Sequence, residues 1–191
     1  MAMGRPRAFD MDQALHVFWE KGYVGTSIND LTEAMGINPP SLYAAFGNKE
    51  KLFKKALDRY EAKRDQIMEE AFAAPTAREA VTRLLEGTAE RLSDQCNPRG
   101  CLMVQGALSG GEECEAVKRD LSSRRAGGEA LIRKRLKRAK REGDLPSNVD
   151  AAALARFVAT VMHGMAVQAA GGAAPKELRA IVNTALRAWP A

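Results

Sequence analysis

Histidine occurs twice and cysteine three times in this 191-residue chain, and only 6% of its residues are aromatic. Each scarcity excludes something. Three cysteines without a paired or dense spacing do not make a disulfide scaffold, which leads us to expect a reducing cytoplasm. Their spacing to the histidines lacks the tight Cys/His pattern of a structural zinc site, so no metal is expected. No phosphate-binding or catalytic signature is present, so neither a cofactor nor an enzymatic activity is expected. No strand-like alternation of useful length is found. The most apolar stretch, 151–171, carries Asp150, Arg156, His163 and Gln168 in or beside it, so no membrane span is predicted. There is no signal-peptide pattern, internal repeat or low-complexity tract. A composition rich in Ala, Leu and Arg instead favours an all-α protein with a sizeable core.

Charge is informative by where it is missing. The formal net charge is +5, yet residues 1–50 are not basic. There Arg5, Arg7, Lys21 and Lys49 are outnumbered by Asp10, Asp12, Glu20, Asp30, Glu33 and Glu50. The excess lies in Arg133, Lys134, Arg135, Lys137, Arg138, Lys140 and Arg141, read here as a solvated helix face with some ion pairs.

What is present centres on residues 22–52. Ile28, Leu31 and Met35 share one helix face, with Ser27 as its cap and Asp30 in its first turn. Gly36 suits the left-handed turn that ends the helix. Asn38 can cap the next helix, with Pro39 at its first position and Leu42 and Phe46 on its inner face. Lys49 and Glu50 open a longer helix. Two short helices joined by a tight turn form a helix-turn-helix, whose second helix enters the major groove of DNA. Its outward residues would be Pro39, Pro40, Ser41, Tyr43, Ala44 and Ala45. These are short or apolar groups that suit thymine methyls or shape, and none makes a bidentate contact to guanine. Thr26, Ser27, Tyr43 and Lys49 are placed to position phosphates. Arg5 and Arg7 suit a minor groove or the DNA backbone.

The run Phe18, Gly22, Tyr23, Thr26, Ser27, Ile28, Leu31, Ala34, Gly36, Ser41, Leu42, Tyr43, Phe46, Lys49, Glu50 and Leu52 resembles the N-terminal signature of the TetR family of bacterial transcription regulators. The Pro39–Pro40 pair departs from it, since members often carry a small or basic residue there. The resemblance implies a three-helix DNA-binding domain, 1–50, and a helical ligand-binding and dimerisation domain, 51–191.

Helices are expected at about 10–21, 49–72, from 76 onward, 101–109, 112–142 with a kink at Gly127–Gly128, 150–170 and 175–188. The resemblance implies that the last two helices pair in a homodimer through Leu154, Phe157, Val158, Met162, Met165, Leu178, Ile181, Val182 and Ala185. It also implies a cavity for a small, mainly apolar effector. The candidate lining is Tyr60, Lys63, Ile67, Leu85, Thr88, Leu92, Leu102, Met103, Gln105, Phe157 and Val161.

The leading expectation is a ligand-responsive, homodimeric repressor released from a palindromic double-stranded operator. Cys101 opens a second reading, because Arg99-Gly100-Cys101 precedes a helix whose dipole lowers a thiol pKa. The resemblance implies that it would then sense oxidants or electrophiles, as some TetR-like proteins with a similar Arg-Gly-Cys-Leu segment do. A Cys101/His163 enzyme is a weaker third reading, since no acid is poised to orient His163.

Overall fold

The computed structural model describes residues 10–108 and 114–190. Among these residues the secondary structure is entirely helical, in the order α1 (Met11–Gly25), α2 (Ile28–Met35), α3 (Pro39–Phe46), α4 (Lys49–Phe72), α5 (Ala77–Ser93), α6 (Leu102–Leu108), α7 (Glu115–Arg141), α8 (Ala151–Ala170) and α9 (Pro175–Arg187). Two compact units divide the chain, the first ending at Glu61 and the second starting at Ala62. The division lies beyond residue 50 because the opening turns of α4 bury Leu52, Phe53, Ala56, Leu57 and Tyr60.

In the first unit, Asp10 caps α1 by accepting from the backbone of Asp12 and Gln13. At Gly22 the helix breaks, with φ 70° and ψ 172°, a conformation that only glycine adopts cheaply. Phe18, Leu31, Leu42, Leu52, Phe53 and Leu57 fill the core. Phe18 meets Phe53 edge-on at 4.9 Å between ring centroids, and Trp19 meets Tyr60 likewise at 4.8 Å. The Arg59 guanidinium donates to both carboxylate oxygens of Asp12, at 3.2 and 2.9 Å.

In the second unit α7 packs on α8, and α5 on α8 and α9. The core includes Leu84, Leu85, Leu102, Leu121, Ile132 and Leu136. The α4–α5 turn is held from a distance in sequence. Arg135 of α7, only 4% exposed, donates to the carbonyls of Phe72, Ala74 and Pro75. The Asp144 carboxylate accepts from the backbone N–H of Ala77. These groups satisfy the orphan carbonyls at one helix end and an amide at the next helix start.

Two expectations change. Helix α7 runs unbroken through Gly127–Gly128. The basic run is not wholly a solvated face: Arg135 is core, and the Lys140 ammonium donates to the Val149 carbonyl.

Candidate nucleic-acid interface and effector region

The helix-turn-helix is built by its ends. The Ser27 hydroxyl accepts from the Asp30 amide at 3.0 Å, and the Asp30 carboxylate accepts from the Ser27 amide at 2.8 Å. This reciprocal cap satisfies two orphan donors of α2. Lys21 donates to the other Asp30 oxygen at 2.6 Å. Lys21 foremost, then the Ser27 amide and hydroxyl, hold the Asp30 carboxyl well below the usual carboxylate range. Gly36 takes the left-handed conformation with φ 63°. Asn38 then caps α3, its side-chain oxygen accepting from the Ser41 amide at 2.9 Å.

Helix α3 buries Leu42 and Phe46 and leaves Pro39, Pro40, Tyr43 and Ala44 exposed, with Tyr43 at 48%. Ser41 is half-buried, and Ser27 is exposed. Arg5 and Arg7 lie outside the described residues.

Two proposed phosphate contacts are placed differently from expectation. Thr26 is buried, and its hydroxyl donates to the Gly22 carbonyl at 2.6 Å. The Lys49 ammonium donates to the Thr26 carbonyl at 2.7 Å and sits 4.5 Å from the Tyr23 ring centroid. The break at Gly22 turns both groups inward, so that they tie the α1–α2 link to the start of α4. Outward cations missed from the sequence are Lys51 and Lys55. Lys51 passes beside Gly47, and Lys55 lies 5.4 Å from the Phe46 ring centroid. They belong to α4, and a domain boundary set at residue 50 hid them.

The expected effector lining scatters. Tyr60 belongs to the first unit, against Trp19, and Lys63 is exposed. Ile67 is half-buried and faces Gly87 of α5, in an open groove of about 610 Å³. Leu85, Thr88, Leu92, Leu102 and Met103 are buried, and the Thr88 hydroxyl donates to the Leu84 carbonyl. Gln105 donates to the Arg99 carbonyl at 3.2 Å. Val161 is half-buried and Phe157 is 42% exposed.

The two closing helices also sort differently. Val158, Met165, Leu178, Val182 and Ala185 are buried within the single chain, because α8 is apolar on more than one face and α5 covers one of them. Leu154, Met162 and Ile181 are half-buried, whereas Phe157 and Val167, the latter 50% exposed, form the uncovered apolar surface of α8. Val167 was missed, although it continues the helical spacing from Phe157 through Thr160 and Gly164.

Cys101 is buried, and the helix behind it has only seven residues, too short for the dipole argument. Gly100 before it has φ 84°, and a Cβ there would lie 3.0 Å from the Ala170 Cβ and 3.2 Å from the Ala166 carbonyl. The turn is therefore packed onto α8. His163 is half-buried; burial first and the Arg125 charge second push its pKa below the usual value, against a smaller opposing effect of Glu129. Among the described residues no His/Cys/Asp/Glu cluster is arranged to hold a metal, and no helix is long and apolar enough to cross a membrane.

Comparison with known proteins adds three findings. Residues 11–56 match the family model for bacterial regulatory proteins of the tetR family, and residues 77–185 match that for the tetracyclin repressor-like C-terminal domain. The chain is 34% identical to the HTH-type transcriptional repressor ComR of Escherichia coli (strain K12), over 98% of this chain and 92% of that protein. Among solved structures, it is 46% identical to a cysteine mutant of the transcriptional regulator CifR complexed with 26-bp double-strand operator DNA, covering 97% of this chain and 100% of that one, with a TM-score of 0.93. A regulator from Rhodococcus sp. RHA1 is 44% identical over 94% and 97% of the two chains, with a TM-score of 0.65.

Proposed function

The chain belongs to the TetR family of bacterial regulatory proteins, and on that premise we propose that it is a cytoplasmic, homodimeric repressor of a palindromic DNA operator, released by a small, mainly apolar effector. One observation carries this reading: a capped α3 whose outer face of Pro39, Pro40, Tyr43 and Ala44 is left exposed, on a chain nearly half identical to a regulator solved on operator DNA. The pairing surface is the uncovered side of α8, with Phe157 and Val167 at its centre and Ile181 of α9 beside it. A two-fold dimer then offers two α3 helices to two half-sites about one helical turn apart. In the groove Tyr43 is the polar contact on α3, and Lys51 and Lys55 replace Lys49 and Thr26 as phosphate partners.

The effector acts through α4, whose two ends belong to different units. A ligand bound among α5 to α8 favours one position of α4 and DNA another, so ligand and operator weaken each other by the same factor. The buried Cys101 and the short α6 give no support to thiol sensing.

The test is selection of duplexes from a random pool by the full chain. A palindrome with half-sites one turn apart is expected. Recovery of no consensus, or of a single unrepeated half-site, contradicts the reading.

A further inference from the structure

Helix α3 begins with an end that has little left to donate. Pro39 and Pro40 carry no backbone N–H. The Ser41 amide is taken by the Asn38 side-chain oxygen at 2.9 Å, and the Leu42 amide by the Asn38 carbonyl at 3.1 Å. The first turn, where a helix ordinarily receives a phosphate, therefore keeps no backbone donor for one. Asn38 is spent as well. Its oxygen is committed to the cap, which removes the two-point contact that an asparagine otherwise makes to adenine.

The side chains continue the pattern. Pro39, Pro40, Tyr43 and Ala44 are exposed, and spacings of three and four residues put them on one face. Only the Tyr43 side chain among them has a polar atom. Its hydroxyl and that of the half-buried Ser41 can each donate or accept, so they discriminate poorly between bases. No residue of α3 is an arginine, lysine, asparagine, glutamine or acid, the side chains that read base edges by hydrogen bonds of fixed sense. What an apolar face can still distinguish in the major groove is the C5 methyl of a pyrimidine.

We propose that Pro39, Pro40 and Ala44 select the operator by contact with thymine C5 methyls, so that each half-site carries thymines where it faces the start of α3. The assignment rests on the repressor reading above and names the base chemistry of its operator. Proline and alanine suit the task because ordering them against a base costs no side-chain freedom. The proline rings also fix the backbone at the start of the helix.

The test starts from the palindrome that the full chain selects from a random pool. Each thymine is replaced in turn by uracil, symmetrically in both half-sites, and affinity is measured by fluorescence anisotropy. Uracil keeps every hydrogen-bonding group of thymine and lacks only the methyl. At one or more positions in each half-site, affinity should fall about fourfold per methyl, hence about fifteenfold for the symmetric pair. The dependence of affinity on salt should keep its slope there, because no charged contact is lost. Cytosine at the same positions should bind more weakly still, and 5-methylcytosine should recover about fourfold per methyl over cytosine. Pro39→Ala combined with Pro40→Ala should bring the thymine-to-uracil ratio at those positions towards one. If that variant does not fold, the base-analogue series on the unaltered chain decides. Uracil tolerated at every position, or 5-methylcytosine no better than cytosine, overturns the methyl contact and leaves a sequence-specific repressor standing. A pool that yields no palindrome overturns both, so the two can fail separately.

Discussion

The two units hold their critical turns by opposite means. In the first, the polar groups that fix the α2–turn–α3 geometry are near neighbours in sequence: Ser27 with Asp30, Asn38 with Ser41, and Gly36 in a left-handed turn. In the second, the α4–α5 turn depends on Arg135 and Asp144, which arrive from more than sixty residues away. A locally capped motif keeps its shape when its surroundings shift, which suits a rigid reader of DNA. A turn clamped by a distant buried cation depends on the packing of the whole bundle. The second unit is therefore the one in which a change of packing can be felt at the end of α4.

Phe18→Ala sharpens this contrast most. Phe18 is fully buried against Phe53 and is the aromatic centre of the first unit. Its removal should cost about 3–5 kcal/mol. Amide hydrogen exchange should show α1–α3 losing protection while α7 and α8 keep theirs. Uniform loss across both units would break the comparison.

Arg135→Met is the reciprocal experiment. It leaves the carbonyls of Phe72, Ala74 and Pro75, of which Ala74 is buried, without their donor, at a cost of about 3 kcal/mol. Denaturant unfolding should show the loss, and exchange should rise first in the α4–α5 turn. A variant as stable as the parent would show that the clamp is dispensable.

Ser27→Ala should be milder, about 1 kcal/mol for a lost helix cap. The same cap predicts a pH effect. The native Asp30 pKa is depressed, so its stabilising contribution is complete above the ordinary carboxylate range and is lost as pH falls below it. Protection of the amides of residues 27–30, relative to their intrinsic exchange rates, should therefore fall in acid, and Asp30→Asn should remove that dependence. Protection of these amides that stays constant into acid in the parent chain would contradict the role given to Asp30.

The same contrast explains what could be read from the sequence. The caps at Ser27 and Asn38 and the inner face of α3 follow from spacings of three or four residues, and they stand where the pattern put them. The inward turn of Thr26 and Lys49 did not follow, because it depends on the unusual conformation at Gly22 and on a contact between the ends of two helices. Arg135 was hidden inside a basic run, since composition does not say which cation of seven faces the core. Val158, Met165, Leu178 and Val182 belong to an interior shared with other helices, whereas Val167, on the uncovered side, was overlooked. On α8 both faces are apolar, so periodicity alone does not tell core from surface.

The most direct test of the account is the affinity of the full chain for its selected palindrome against a random duplex of the same length, by fluorescence anisotropy at about 0.15 M salt. Scrambling one half-site provides the internal control. The palindrome should bind about a thousandfold or more tightly than the random duplex, with most of that advantage lost on scrambling. Equal affinity for all three duplexes would contradict a dimeric, sequence-specific repressor.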